Sequence, residues 1–539
     1  MKNLFKKYSV LLVLLVLGLS GCMDLSETFY SELSKDNFYN NRVEVMQGVL
    51  RPFTHMQAWL APTGQNGYYY HGESSADQIA WPQKGRHGFD GGDHIRLHYH
   101  TWTPDEPRMR NAWGLMWGGV GYVNAILEDL ETLDVAKAGM SEVDREKLIS
   151  EVKVMRAYHY MKIMDMWGNV PIVIKVGEPL NPPTVPRSEV FAFIEKDLLD
   201  NVENLDPLSQ ELVGRVSKAA GYAMLSELYL NAEEWTGTPK WDETISFADK
   251  VINGDGGALT SSMRLDPDIL GPFKPLNNLS PENIFQFAFS RKGGFTFGWG
   301  GFFFGYGNMS QALNVTYSGW NAFVVIPNAF DAYKENDNRK KEWFLFGPQL
   351  KYQSTDPVIA TEEFEGKPLI YVNNIRRNSE GETGEGGMTS GEENSGARFH
   401  KYRSGTKTDP NYQENDYIIY RLTELYFNKA EAIMRKNGGQ ATSVAIALIN
   451  ESKKRAFSQQ DWTSEAYTTA TLTMDELLKE RGREFIFEGK RRTDLIRFGE
   501  FTSGTWWDHQ VTGDVTRKLF PIPAIQVNSN PNLVQNPGY

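Results

Sequence analysis

The chain has 539 residues, 40% of them hydrophobic and 23% charged, so it can bury a large core and form several domains or one elaborated domain. Its net charge of −12 argues against nucleic acid and anionic lipid surfaces as partners. The single cysteine excludes an internal disulfide and a thiolate zinc site. The 14 Trp, 24 Tyr and 30 Phe suit a packed helical array, a stacking surface for a ligand, or both.

The first 22 residues have the pattern of a secretion signal. Three lysines precede an apolar run over residues 10–19, which is shorter than the ~20 residues that a membrane-spanning helix needs. The run ends in Leu-Ser-Gly-Cys, whose last residue is Cys22. This tetrapeptide resembles the cleavage site of lipoprotein signal peptidase, which implies a signal peptide over residues 1–21 and lipid on Cys22. Acyl chains worth ~0.8 kcal/mol per buried CH2 would then tether the mature chain without crossing the bilayer. An ordinary signal peptide with an incidental cysteine is the alternative.

Helical periodicity dominates both ends of the mature chain. Apolar residues at three-to-four spacing predict helices over residues 108–130 and 151–167, the second of which breaks at Gly168. Residues 218–234 and 420–434 share a Leu-Ser/Thr-Glu-Leu-Tyr-Leu/Phe-Asn core. Such repeated segments are typical of tetratricopeptide-like arrays, in which stacked helix pairs bury faces that one pair cannot. We therefore predict a mainly α fold of tetratricopeptide-like helix pairs.

The middle of the chain, residues 253–415, lacks this periodicity. It is rich in Gly, Asn, Pro and aromatic residues, which predicts loops with short strands. We expect it to form an irregular ligand-binding part inserted into a helical scaffold over residues 22–252 and 416–539. Residues 378–397 are acidic and of low complexity, which predicts a surface loop. Its glutamates could hold a structural calcium ion, although the EF-hand spacing is missing.

Four segments carry a further pattern, in chain order. They are residues 155–171, 425–431, 480–499 and 521–539, from Met-Arg-Ala-Tyr in the first to the final Asn-Pro-Gly-Tyr. Together they resemble the SusD/RagB family, outer-membrane lipoproteins of Bacteroidetes. The resemblance implies one SusD-like domain over the mature chain, with four tetratricopeptide-like helix pairs. It also implies that the protein captures glycans at the cell surface and delivers them to a SusC-like TonB-dependent porin.

The third of these segments places Glu480, Glu484 and Glu488 four residues apart, with arginines around them. Glycoside hydrolysis needs two carboxylates on opposite sides of one bond, whereas carboxylates along one helix face cannot straddle a sugar. The sequence therefore predicts a partly buried ion-pair lattice that fixes the last helices to their neighbours.

Three neighbouring histidines raise the question of a metal site. Helical spacing would align His94 with His98, and strand alternation would align His98 with His100, but no single conformation aligns all three. No His-Glu-x-x-His motif is present. We expect no metal or cofactor here, and interpret these imidazoles as packing or hydrogen-bonding groups beside a ligand.

The candidate ligand-binding groups are aromatic side chains in the irregular segments. An exposed indole can stack on the apolar face of a sugar ring while polar neighbours bond its hydroxyl groups. We predict a platform of Trp81, Trp299 and Trp320, and the resemblance agrees, because the family's glycan platforms are loop aromatics at about these places. The supporting candidates are the aromatic residues Trp102, Tyr70 and Tyr306 and the polar residues Asp77, Gln83 and Asn321.

These patterns favour a non-catalytic, cell-surface glycan-binding lipoprotein of the outer membrane. Nucleotide-binding loops and nucleophile elbows are absent from the sequence. A long, flat platform of three tryptophans would suit an extended β-glucan. Two alternatives stay open. A peptide-capturing member of the family would need a deep apolar pocket, and a polysaccharide hydrolase would need two carboxylates about 5 to 10 Å apart beside the tryptophans.

Overall fold

The structure is a computed structural model that describes residues 38–62, 64–177, 179–294, 301–316, 318–377, 386–410 and 412–539. The signal sequence, Cys22 and Trp299 lie outside these residues, so the lipid anchor and one member of the predicted platform stay predictions. Within the described ranges, no helix has the length and apolar character needed to cross a membrane.

Eighteen α-helices make up most of the regular secondary structure in the described part of the chain. The first nine precede the loop-rich middle: α1 Arg42–Leu60, α2 Tyr68–Ser74, α3 Asp93–His98, α4 Pro107–Glu131, α5 Glu142–Trp167, α6 Arg187–Asn201, α7 Lys218–Leu230, α8 Ala232–Thr236 and α9 Trp241–Ile252. The others are α10 Met309–Leu313, α11 Pro327–Asp331, α12 Asn338–Glu342, α13 Leu422–Lys436, α14 Ser443–Lys453, α15 Gln459–Glu465, α16 Met474–Phe485, α17 Arg491–Arg497 and α18 Ala524–Ser529. The prediction of a mainly α fold is confirmed.

The boundaries of α5 follow from local chemistry. The helix starts earlier than predicted because Ser141 caps it, in a capping box completed by Asp144. It ends at Gly168, as predicted, where φ is +68° and an added Cβ would lie 2.7 Å from Leu519. The C-terminal tail thus packs directly on the end of α5.

The helices form one continuous array. Helix α4 packs on α1 and α5, α5 on α6, and α7 on α9, which in turn packs on α13 although some 170 residues separate the two in sequence. The motif shared by α7 and α13 supplies a buried glutamate to each. Glu227 pairs with Lys162 at 2.5 Å, and Glu424 pairs with Lys490 at 3.0 Å. The repeat is therefore a charge-pairing motif as well as a packing motif.

Eight short strands form four antiparallel pairs within the described residues. The longest pair joins β2 and β8 and closes the base of the loop-rich middle, because β2 enters it and β8 leaves it. The strands are β1 Ile79–Ala80, β2 Asn283–Phe287, β3 Val324–Val325, β4 Phe344–Leu345, β5 Gly347–Pro348, β6 Ile370–Tyr371, β7 Arg398–Phe399 and β8 Tyr417–Arg421, paired as β1–β3, β2–β8, β4–β7 and β5–β6.

The predicted ion-pair lattice is confirmed. Arg421 at the end of β8 contacts Glu484 at 2.9 Å and Glu488 at 2.8 Å, and Arg339 on α12 contacts Glu480 at 2.8 Å and Glu484 at 2.9 Å. Burial alone would raise the pKa of Glu480, but Arg339 and the other nearby cations hold it well below its usual range. The lattice joins α16 to the loop-rich middle and leaves these carboxylates no role in chemistry on a sugar.

Candidate functional site

Trp320 presents a largely exposed indole, with 61% of the residue accessible to solvent. Its backbone N–H donates to the Gly301 carbonyl at 2.8 Å, and the Phe323 N–H donates to Phe302 at 2.9 Å, so residues 320–323 run beside 301–304. Gly319 makes this approach possible, because an added Cβ would lie 2.1 Å from the Gly305 oxygen. The backbone thus fixes the position from which the indole projects.

A column of rings supports Trp320 from below. Phe302 meets it edge-on at 4.7 Å, and Trp81 lies 5.8 Å from Phe302 on the side of the core. Trp81 also stacks on His94 at 4.9 Å and is only 4% exposed. The prediction that Trp81 is an exposed platform residue is therefore wrong. Pairing of β1 with β3 draws its segment into the core, where the indole packs under the site.

A tight hairpin over residues 84–87 forms the side of the site. Lys84 is buried and its ammonium donates to the carbonyls of Asn321 and Ala322 at 2.6 and 2.7 Å. Burial and, secondarily, the charge of Arg398 hold the pKa of Lys84 well below its usual range. The hairpin is thereby fixed to the Trp320 segment, and it carries His87 to within 5.5 Å of the Tyr306 ring.

The rim of the site is polar. His87 is half-exposed and lies 3.4 Å from the Glu362 carboxylate, which also accepts from Arg86 at 3.3 Å. Tyr306 is partly exposed, and burial of its hydroxyl raises the pKa to about 12, so the phenol keeps its proton at neutral pH. We define the Trp320 surface as Trp320, Phe302, Tyr306, His87 and Glu362. It combines one stacking face with donors and acceptors suited to hydroxyl groups.

Asn321 was predicted to face a ligand, and this prediction is wrong. The residue is 3% exposed and adopts a left-handed backbone conformation with φ of +53°, which asparagine tolerates. Its side-chain oxygen accepts from Arg398 at 2.7 Å and its amide donates to the Glu393 carbonyl at 3.3 Å. The amide therefore holds the site together from inside.

Of the predicted acidic surface loop, residues 378–385 lie outside the described residues, and residues 390–397 depart from the predicted surface position. Residues 390–397 are buried, because the Glu393 carboxylate accepts the backbone N–H groups of Thr361 and Glu362 at 2.7 to 3.0 Å. The Gly391 N–H donates to the Gln83 carbonyl at 2.9 Å. This part of the segment is a floor under the hairpin.

The remaining predicted contacts are structural or peripheral. Tyr70 is fully buried, and Trp102 is 1% exposed and donates to the Tyr539 hydroxyl at 2.6 Å, so neither can stack on a ligand. Asp77 is engaged by Arg491 through two contacts of 2.6 and 2.8 Å. Gln83 is half-buried beside the hairpin and donates to the Gly85 carbonyl at 3.0 Å. Of these four residues, only Gln83 lies next to the Trp320 surface.

The three neighbouring histidines are buried, where they pack against other rings and, at His94 and His100, also form hydrogen bonds. His100 stacks on Phe501 at 4.4 Å and bonds the Ser75 carbonyl at 2.8 Å, and burial lowers its pKa to about 3. Burial likewise lowers the pKa of His98 to about 3. No cluster of metal-ligating side chains occurs among the residues that the structure describes.

Sequence reasoning missed the hairpin that carries Arg86 and His87. The signal was the sequence Lys-Gly-Arg-His, in which Gly85 supports a turn and the flanking residues are polar.

Two family models match the chain. The model of the SusD family matches residues 281–539, and a model described as starch-binding associating with outer membrane matches residues 32–230. The chain is 26% identical over 511 residues to the starch-binding protein SusD of Bacteroides thetaiotaomicron, covering 88% of this chain and 86% of that protein. It is 23% identical over 575 residues to SusD-like protein P2 of Formosa agariphila, covering 99% and 100%.

Solved structures share the fold. Surface glycan-binding protein A of Bacteroides thetaiotaomicron in complex with laminarihexaose superimposes with a TM-score of 0.69 at 20% identity, covering 92% of this chain and 99% of that one. A laminarin-binding SusD-like protein also gives 0.69, at 19% identity, with coverage of 93% and 100%. At these identities the likeness establishes the architecture alone.

Proposed function

Since this chain belongs to the SusD family, we propose that it is a non-catalytic glycan-binding protein of the outer membrane that holds its ligand on the Trp320 surface. The observation that carries the proposal is the exposed indole of Trp320, on a segment that is fixed by backbone hydrogen bonds and by the Lys84 ammonium of the neighbouring polar hairpin. Relatives named for starch and laminarin binding support a glucan as the ligand. The lipid on Cys22 and delivery to a SusC-like TonB-dependent porin belong to the same proposal.

The carboxylates near the site support binding rather than hydrolysis. Glu362 is engaged by Arg86, and Glu393 is 1% exposed and saturated by backbone donors. A retaining or inverting glycosidase needs one carboxylic acid and one free carboxylate facing each other across the bond. The described part of the Trp320 surface offers no such pair.

The linkage of the glucan is left open by the geometry. A β-glucan is expected only if three exposed tryptophans form one flat platform. Trp81 is buried, Trp299 lies outside the described residues, and of the described tryptophans only Trp320 is largely exposed. Both α- and β-linked glucans therefore belong in the test.

Affinity electrophoresis of the mature protein through gels containing laminarin or amylopectin tests this proposal. We expect retardation of the wild type on at least one gel and a marked loss of this retardation in Trp320→Ala. The matched variant Trp462→Ala, whose half-buried indole lies on α15, should be retarded like the wild type. Trp299→Ala tests the remaining platform residue. Absence of retardation of the wild type on both gels would contradict glycan binding, and equal retardation of the wild type and Trp320→Ala would contradict the Trp320 surface as the site. Release of reducing sugar from either polymer would contradict the non-catalytic claim.

A further inference from the structure

A cleft with an aromatic floor shares no lining residue with the Trp320 surface. It has a volume of about 440 Å³ and lies between α11, α12 and the segment that joins β4 to β5. Trp320 and its support Phe302 are not among its lining residues. Its lining includes Phe330, Asp331, Lys340, Lys341, Phe346 and Asn373. The volume falls within the range of small-molecule sites and exceeds that of one sugar ring.

Phe346 supplies the exposed ring of this cleft. It is the single residue between β4 and β5, which pair with different strands, and the chain turns at Gly347 with φ of +73°. The Phe346 ring is 46% exposed and lies 4.7 Å from Phe330, which is 4% exposed. One ring is thus held open to solvent by a buried ring behind it.

Polar groups surround this ring. Asp331 is exposed and accepts from the Asn373 amide at 2.8 Å, while the Asn373 side-chain oxygen is buried. Lys340 lies 4.7 Å from the Phe330 ring centroid and donates to Glu335 at 2.7 Å. Lys341 is exposed, and no ion pair forms to it within the described residues. Acceptors and a free donor therefore stand beside a stacking face.

The surface next to the cleft has a different character. Beyond β5, the outward positions of the neighbouring strands carry Leu350, Ile359 and Ile370, which are 39 to 47% exposed. These aliphatic side chains offer neither a ring face nor hydrogen-bonding groups. A ring face with hydrogen-bonding groups beside it, which a sugar requires, is present only at the Phe346 end of the described part of this surface.

We propose that this cleft is a second carbohydrate subsite that takes one hexopyranose unit of a glucan. The apolar C–H face of the sugar stacks on Phe346, and its hydroxyl groups bond Asp331 and Lys341. The proposal rests on the proposed function, because it assigns a second contact with the same class of ligand. Two subsites on one protein raise the affinity for a long polymer above that for either site alone.

The test uses affinity electrophoresis on laminarin and amylopectin gels with the mature wild type, Trp320→Ala, Phe346→Ala and the double variant. On the gel that retards the wild type, we expect weaker but measurable retardation of Trp320→Ala and none of the double variant. Phe346→Ala should raise the apparent dissociation constant about three- to tenfold, which corresponds to one lost ring contact. Lys341→Ala, an exposed change, should weaken binding at least about twofold without a change in thermal unfolding.

Leu350→Ala is the matched control, since Leu350 is 47% exposed on the adjacent surface and outside the cleft lining. If Phe346→Ala and Lys341→Ala migrate like the wild type while Trp320→Ala loses all retardation, the second subsite is refuted and the proposed function stands. If the wild type is not retarded on either gel, both are refuted. If Leu350→Ala loses as much retardation as Phe346→Ala, the subsite is also refuted, because the effect would then not be specific to the cleft.

Discussion

Replacing Trp320 by alanine should weaken glucan binding about 30-fold. A tryptophan buries up to about 250 Å², so at 61% exposure roughly 150 Å² is open to solvent. A stacked sugar covers one ring face, roughly 75 Å², which at about 25 cal/mol per Å² is worth about 2 kcal/mol. That free energy corresponds to a factor of about 30 in the dissociation constant. Titration calorimetry with laminarihexaose and maltohexaose measures it.

Two matched variants sharpen this measurement. Trp320→Phe keeps an aromatic ring at the same place, so its affinity for the glucan should fall by less than about fivefold. Trp462→Ala should bind like the wild type, because its indole lies on the helical scaffold. Thermal unfolding of Trp320→Ala should stay close to that of the wild type, since the residue is largely exposed. An affinity loss of less than about threefold in Trp320→Ala would refute stacking on this indole.

Three further predictions concern the surroundings of the site. Arg421→Met leaves buried carboxylates unpaired and should lower the free energy of unfolding by about 3 to 5 kcal/mol in denaturant titrations; a loss below about 1 kcal/mol would contradict the lattice. The pKa of His98 is about 3 in the folded state and about 6.5 when unfolded, so its contribution to stability is full above pH 6.5 and falls as pH drops from 6.5 toward 3. Between pH 7 and pH 5, the free energy of unfolding should therefore fall by up to about 2 kcal/mol less in His98→Phe than in the wild type, as measured by thermal unfolding. An equal fall in both proteins would contradict the burial argument. Gly319→Ala should weaken retardation on glucan gels as much as Trp320→Ala does, while Gly301→Ala, whose added Cβ meets nothing closer than 3.6 Å, should keep wild-type retardation; equal behaviour of the two glycine variants would show that the close backbone approach is not required.

Features encoded by local spacing could be predicted from the sequence. The four-residue recurrence of Glu480, Glu484 and Glu488 with flanking arginines indicated the lattice that the structure contains. The break at Gly168 and the repeated Leu-x-Glu-Leu motif were likewise visible, since helix ends and helix faces depend on neighbouring residues. The exposure of Trp320 could be predicted as well, because the residue follows a glycine in an irregular segment, where a packed core strand is disfavoured.

Features set by contacts between distant segments could not be predicted in the same way. The polar sequence around Trp81 resembles a surface loop, but Ile79 pairs with Val325, some 245 residues away, and this places the indole in the core. Asp77 likewise meets Arg491, which is 414 residues away. Phe346 gave no local signal, because its exposure results from the exchange of strand partners between β4 and β5. Burial of an aromatic residue in the irregular part therefore depends on the tertiary pairing.

The most direct test of the central claim is a crystal structure of the mature protein soaked with laminarihexaose and, separately, with maltohexaose. Our account predicts an intact oligosaccharide in at least one of the two, with a sugar ring stacked on the Trp320 indole and hydroxyl groups within hydrogen-bond distance of the polar side chains of the His87 hairpin. An oligosaccharide bound elsewhere with Trp320 free, or a cleaved product in the site, would contradict it.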